Sequence, residues 1–203
     1  MKPLKELKAL TKRQAKLVQL VDIFQPRTIV EIGTYNGYNA ALLLTVAHKY
    51  HERPEYIGYD LFETASAQTD AEEFNVKEHP NAAEVEANIR KYCPFAEVNL
   101  IKGNTRQTLQ SVTADFAFID GGHSVETIRH DYEAVKHSGV VVFDDFYRPM
   151  NNGSMPDVSK YGCNLIVSGI PHYVIEVDDA VRLERGGDQC GWNGLAVCFG
   201  VTE

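Results

Sequence analysis

Apolar positions along the chain switch repeatedly between helical and strand-like spacing. Within Leu4 to Phe24, residues Leu17, Leu20, Val21 and Phe24 fall at i, i+3, i+4 and i+7, and Pro26 stops the run; this predicts an amphipathic helix. Thr28 to Gly33 is a short β-branched run closed by glycine and reads as a buried strand. Helical character returns over 36–50 through the apolar stretch Ala40 to Ala47, and Tyr56 to Asp60 reads as a second strand. Residues 61–80 are polar, rich in Ala, Glu, Thr and Asp, and without a clear period. They predict an irregular or partly helical excursion able to serve as a lid. A helix over Asn81 to Tyr92 follows, stopped by Pro94.

The second half repeats the alternation. Val98 to Gly103 reads as a strand, Thr105 to Leu109 as a short helix, and Asp115 to Asp120 as a strand ended by the Gly121-Gly122 turn. Ser124 is placed to cap a helix running to about His137, and Val140 to Asp145 is the most apolar strand. Beyond a polar loop, Arg148 to Pro156, come a helix near Val158 to Val167 and strands at His172 to Val177 and Leu195 to Val201. Alternating strands and helices require crossover units. The expected fold is therefore α/β doubly wound: a mainly parallel sheet of seven strands with helices on both faces. With no internal repeat and no linker, residues 1–203 read as one domain, 1–26 a helical extension and 27–203 the core.

In such sheets ligands bind outside the carboxyl ends of the strands, where the strand order reverses. The positions to read are then Glu31 to Gly37, Asp60, Gly103-Asn104, Asp120 to His123 and Asp144-Asp145. The first loop is spaced G-x-x-x-G, and Thr34 and Tyr35 flank the place of the middle glycine that a dinucleotide pyrophosphate needs. That disfavours a nicotinamide dinucleotide and leaves room for an adenosine without phosphates. Asp60, ending the second strand, can accept both ribose hydroxyls. The second cluster suits proton and cation chemistry. Carboxylates at Asp120, Asp144 and Asp145 form an oxygen-only set favouring Mg2+ or Mn2+ over zinc, able to acidify a bound alcohol. His123 could take the released proton. Blander readings stand beside these: Asp144 and Asp145 as helix caps or partners of Arg148, Asp120 as a turn stabiliser, His123 as a solvated turn residue. Tyr35, Tyr38, Phe146, Tyr147 and Trp192 line an acceptor pocket or serve as ordinary packing.

Composition narrows the function classes. At 203 residues, 44% hydrophobic and 24% charged, the chain is globular. Its net charge is −8, although residues 1–16 carry six basic side chains against Glu6 alone. Lysines three to four apart there read as the solvated face of a helix. The acidic remainder argues against nucleic acid as the main partner. Ala40 to Ala47, interrupted by Thr45, is too short to span a membrane. The four cysteines form no C-x-x-C pair and no signal peptide is visible, so the expectation is a reduced, cytoplasmic protein.

From Thr28 to Val201 the chain resembles the class I S-adenosylmethionine-dependent methyltransferases. Glu31, Gly33 and Gly37 match their E/D-x-G-x-x-x-G motif, Asp60 their ribose-binding acid, and Gly103-Asn104 the pair near adenine. Phe118-Ile-Asp-Gly-Gly-His123 and Val142-Phe-Asp-Asp145 resemble the small-molecule O-methyltransferase branch, which includes antibiotic-pathway and macrolide-sugar enzymes. His137-Ser-Gly139 departs from the usual Pro-Gly-Gly. The resemblance implies a Rossmann-like sheet and methyl transfer to a hydroxyl of a small sugar or phenol. It implies S-adenosyl-L-methionine held by Glu31, Gly33, Thr34, Tyr35, Gly37, Asp60, Leu61, Gly103, Asn104 and Asp120. It further implies Mg2+ on Asp120, Asp144 and Asp145, with His123 and Asp120 catalytic. The rival readings are a metal-free N- or carboxyl-methyltransferase, and a Rossmann-like nucleotide-binding module without catalysis. Whether the chain forms a homo-oligomer is left open by the sequence.

Overall fold

A computed structural model describes residues 10–75, 78–182 and 189–200. Seven strands form one sheet in the order β3-β2-β1-β4-β5-β7-β6. The first five are parallel: β1 (Thr28–Ile32), β2 (Glu55–Asp60), β3 (Glu97–Lys102), β4 (Phe116–Ile119) and β5 (Val140–Arg148). Two long antiparallel strands close one side, β6 (His172–Arg182) and β7 (Gln189–Phe199), with β7 inserted between β5 and β6. β6 and β7 pair directly, as antiparallel neighbours can.

Period-two alternation in the strands divides the core. On one face Ile29, Phe116, Phe118, Val140 and Val142 meet α1 (Lys12–Phe24), α2 (Tyr38–Ala47) and α4 (Ala82–Tyr92). On the other face Val30, Ile32, Ala117, Ile119, Val141 and Phe143 meet α6 (Val125–Val135) and α7 (Asn164–Val167). Each such side chain, fully buried, contributes roughly 1.5–3 kcal/mol. Apolar nearly all round, α2 has seven of its ten residues buried, because α1 and α4 flank it above the sheet. The short α3 (Ala67–Glu72) and α5 (Thr105–Thr108) lie in the loops after β2 and β3.

The expected elements recur with shifted ends. Thr11 and Gln14 form a reciprocal cap that starts α1 at Lys12; the part of the expected helix before Leu10 lies outside the described residues, as does Val201. Segment 61–80 holds a 3₁₀ turn (Phe62–Thr64) and α3. The helix expected near Val158 to Val167 shrinks to α7. Gly162 adopts φ +75, and a Cβ there would sit 2.5 Å from the carbonyl oxygen of Asp145, so the chain turns left-handed before a helix can form. β5 runs past Asp145 to Arg148 through a bulge between Phe143 and Phe146. Cys93, Cys163 and Cys198 are buried free thiols. Among the described residues no helix is long and apolar enough to cross a membrane.

Candidate functional site

Strand order reverses between β1 and β4, and a cleft of about 630 Å³ opens at their carboxyl ends. The two exits pack backbone to backbone. Gly33 has φ +92, and a Cβ on it would lie 2.0 Å from the Asp120 carbonyl oxygen, so only glycine lets β1 leave the sheet here. Gly37, left-handed at the N-terminus of α2, abuts Ile89 and Val85 of α4. Of the residues expected to hold a cofactor, Gly33, Thr34, Tyr35, Asp60, Leu61, Gly103, Asn104 and Asp120 line the cleft. Glu31 and Gly37 stand behind its wall.

Glu31 is the floor of this loop. It is fully buried and accepts a hydrogen bond from the Tyr56 hydroxyl, which in turn lies 3.2 Å from the Thr34 hydroxyl. Burial pushes its carboxyl up to about 8, against the pull of the Tyr56 bond, with Asp120 and Asp60 adding to the rise. A carboxyl that holds its proton more tightly when folded favours folding at low pH, and that advantage fades as pH climbs from about 4.5 to about 8. Glu31→Gln mimics the protonated form. Between pH 5 and 8.5 the stability of this variant relative to the native chain is expected to rise by about 4 kcal/mol, read from urea unfolding across pH. Parallel pH curves for the two chains would mean Glu31 is ionised in the fold.

Asp60 is held from two sides. The Tyr35 amide donates to Oδ2 at 2.7 Å and the Phe62 amide to Oδ1 at 2.8 Å. Both donors carry positive φ, 49° and 48°, on non-glycine residues, a strained arrangement that this carboxylate holds in place. Each oxygen keeps a lone pair for the cleft. At the end of β3, Asn104 caps α5 by accepting from the Arg106 amide at 3.0 Å, which leaves its NH2 group for a ligand.

Across β4 and β5 the acidic cluster divides. The guanidinium of Arg13, on the first turn of α1, forms an ion pair with Asp144 and lies 3.9 Å from Asp120. Burial and the neighbouring Asp120 push Asp144 up to about 7, against Arg13. Asp145, at φ 56 in the β5 bulge, turns elsewhere: it accepts from the Asn193 amide at 3.0 Å and lies 3.5 Å from His123 Nε2. The three aspartates therefore do not converge on one point. Among the described residues no group of three or more His, Cys, Asp or Glu is arranged to hold a metal ion. Arg148 pairs with Glu176.

His123 is held at Nδ1. Nδ1 lies 2.9 Å from the Glu73 carbonyl oxygen while Nε2 faces Asp145. Glu73, just after α3, also accepts from the Ser124 amide at 3.0 Å and from the Ser124 and Thr127 hydroxyls. Phe74 stacks edge-on against Tyr161, centroids 4.1 Å apart. These contacts dock segment 61–75 over the cleft. Tyr35 and Tyr38 line it; Phe146 packs into the core beside His172, and Tyr147 is buried.

Two residues of this site escape sequence reading. Arg13 belongs to the basic N-terminal stretch expected to face solvent, but its side chain reaches the cleft, unlike that of exposed Lys12. Glu73 sits in a segment with no period.

Residues 30–146 match the family model of a methyltransferase domain. Several solved structures share the fold. The O-methyltransferase NovP is 20% identical, with a TM-score of 0.61 over 94% of this chain and 80% of its own. TomG of Streptomyces achromogenes, an O-methyltransferase involved in tomaymycin synthesis and solved with SAM, is 14% identical, with a TM-score of 0.58 over 97% and 83%. An O-methyltransferase from Bacillus cereus in complex with SAH is 16% identical, with a TM-score of 0.57 over 96% and 83%. No curated protein sequence matches the chain.

Proposed function

The chain belongs to the methyltransferase-domain family, and on that premise we propose that it is an S-adenosylmethionine-dependent O-methyltransferase acting on a hydroxyl of a small molecule, a sugar or a phenol. The observation that carries this reading is a single cleft lined by both Asp60, held by two backbone amides, and His123, held between a carbonyl and a carboxylate.

The residues fit the cofactor. Asp60 accepts the ribose hydroxyls, Asn104 offers its NH2 to the adenine, and Gly33 brings bare backbone to the cleft wall. When bound, S-adenosylmethionine supplies a sulfonium methyl group for direct displacement. His123 takes the acceptor's proton at Nε2 as the new C–O bond forms, and Asp145 faces the imidazolium that results. The Glu73 carbonyl, accepting from Nδ1–H, holds the tautomer with Nε2 unprotonated. Docking of segment 61–75 keeps water from the reacting atoms. Magnesium does not fit as well. The guanidinium of Arg13 already lies against Asp144 and Asp120, and Asp145 faces His123 and accepts from the Asn193 side chain.

The test is the thermal midpoint with S-adenosylhomocysteine, using NADH as control. At one hundred times its dissociation constant a ligand adds about 2.7 kcal/mol, which moves the midpoint by several degrees. A rise with S-adenosylhomocysteine and none with NADH is expected. No rise at saturation would overturn the cofactor assignment.

A further inference from the structure

Asp120 follows the last residue of β4 and Asp144 lies in the adjacent β5; Asp144 is buried, and Asp120 is half-buried at the cleft wall. Their side chains are 9% and 2% exposed, and the same Arg13 Nη1 reaches both, lying 3.9 Å from Asp120 and forming the ion pair with Asp144. Carboxylates so placed repel when both are ionised, and a cation lying against both holds them together in the charged form. Among the described residues the cation that pairs with both is Arg13. Its position is not that of a loose surface side chain. The Thr11–Gln14 cap fixes the start of α1, Gln14 donates to Asn39 of α2 at 3.0 Å, and Leu17, Leu20 and Val21 anchor the helix in the core.

A guanidinium offers five N–H donors in a rigid fork. Arg13 spends Nη1 on the aspartates, and no described residue takes its Nε or Nη2 protons. The side chain is 33% exposed and forms part of the cleft wall. Donors left over on a fixed cation, in the same cleft as His123, are suited to an oxygen that gains negative charge during reaction.

We propose that Arg13 is the built-in cation of this site: it holds Asp120 and Asp144 together where a divalent metal would otherwise be needed, and its remaining N–H groups bind the acceptor's oxygen, making the transfer metal-independent. The acceptor's O–H bond breaks as His123 takes the proton, the C–O bond forms as the sulfonium C–S bond breaks, and Arg13 stabilises the charge on oxygen between the two. This second role rests on the methyltransferase reading; the first does not.

The experiment is a Mn2+ titration, followed by electron paramagnetic resonance and by thermal midpoint, of the native chain, Arg13→Met, and Arg13→Met with Asp144→Asn. The native chain is expected to show no saturable Mn2+ site and no midpoint shift. Arg13→Met is expected to have a lowered midpoint, to gain one saturable Mn2+ site and to recover several degrees on filling it. Adding Asp144→Asn should remove that site. A saturable Mn2+ site in the native chain that Asp144→Asn abolishes would overturn the proposal, and so would a folded Arg13→Met that binds no Mn2+. If Arg13→Met does not fold, the native titration still decides, together with a methyl-transfer rate that exhaustive chelation leaves unchanged; a rate lost on chelation and restored by Mg2+ would sink the idea. The S-adenosylhomocysteine midpoint shift of the native chain is independent of these outcomes, so an error in the cofactor reading would show itself separately.

Discussion

Asp60→Asn is expected to weaken S-adenosylhomocysteine binding by about 10²-fold or more, measured by isothermal titration calorimetry. The carboxylate sits at the end of β2 with one lone pair of each oxygen committed to the Tyr35 and Phe62 amides. Its two remaining acceptor positions match the paired hydroxyls of a ribose. Hydrogen bonds to a charged group contribute roughly 1.5–3 kcal/mol each, so losing the charge and one acceptor removes enough for that loss of affinity. Asparagine keeps the volume and one of the two backbone bonds, so the fold survives the change. An unaltered dissociation constant in a folded Asp60→Asn chain would place the ribose elsewhere and undo the reading of the cleft.

The second large effect concerns turnover without affinity. His123→Ala is expected to lower methyl transfer by about 10²–10⁴-fold, the usual contribution of a positioned base. S-adenosylhomocysteine binding should stay at its native strength, because Asp60, Asn104 and the Gly33 loop are untouched. Nδ1 of His123 is held by the Glu73 carbonyl, which sets the ring's orientation before the acceptor arrives and leaves Nε2, facing Asp145, to take the proton. A variant with full activity would remove His123 as the base and leave the imidazole as a tie between segment 61–75 and β5.

The strand ends of β4 and β5 were legible in the sequence because each is a compact apolar run followed by aspartate. Gly33 announced itself through its spacing from Gly37, and the structure gives the reason in the close approach of the Asp120 carbonyl. The Ser124 cap followed from residue type alone and is present, accepting from the Thr127 amide. What could not be read depends on partners far away in the chain. Arg13 looks like its neighbouring lysines until β5 is folded against α1, since its partner Asp144 is 131 residues distant. Glu73 finds Ser124 and Thr127 across more than 50 residues. Asp144 and Asp145 read as a matched pair, yet a bulge with a left-handed non-glycine residue sends them to different partners. Composition carries no signal for such a bulge. The same holds for β7: its first half, Gln189 to Gly194, has no apolar alternation and becomes a strand because β6 and β5 pair with it.

The long reach of Arg13 also sets when the cleft is complete. Local helices such as α1 form early and contacts distant in sequence form late. A chain emerging from the ribosome carries Arg13 from the outset but has no Asp144 to meet until most of its length has been made. The pocket is thus charged correctly only after α1 has docked on a sheet already extended to β5. A chain that ends before β5 has the glycine loop and Asp60 but lacks the Asp144 with which Arg13 pairs.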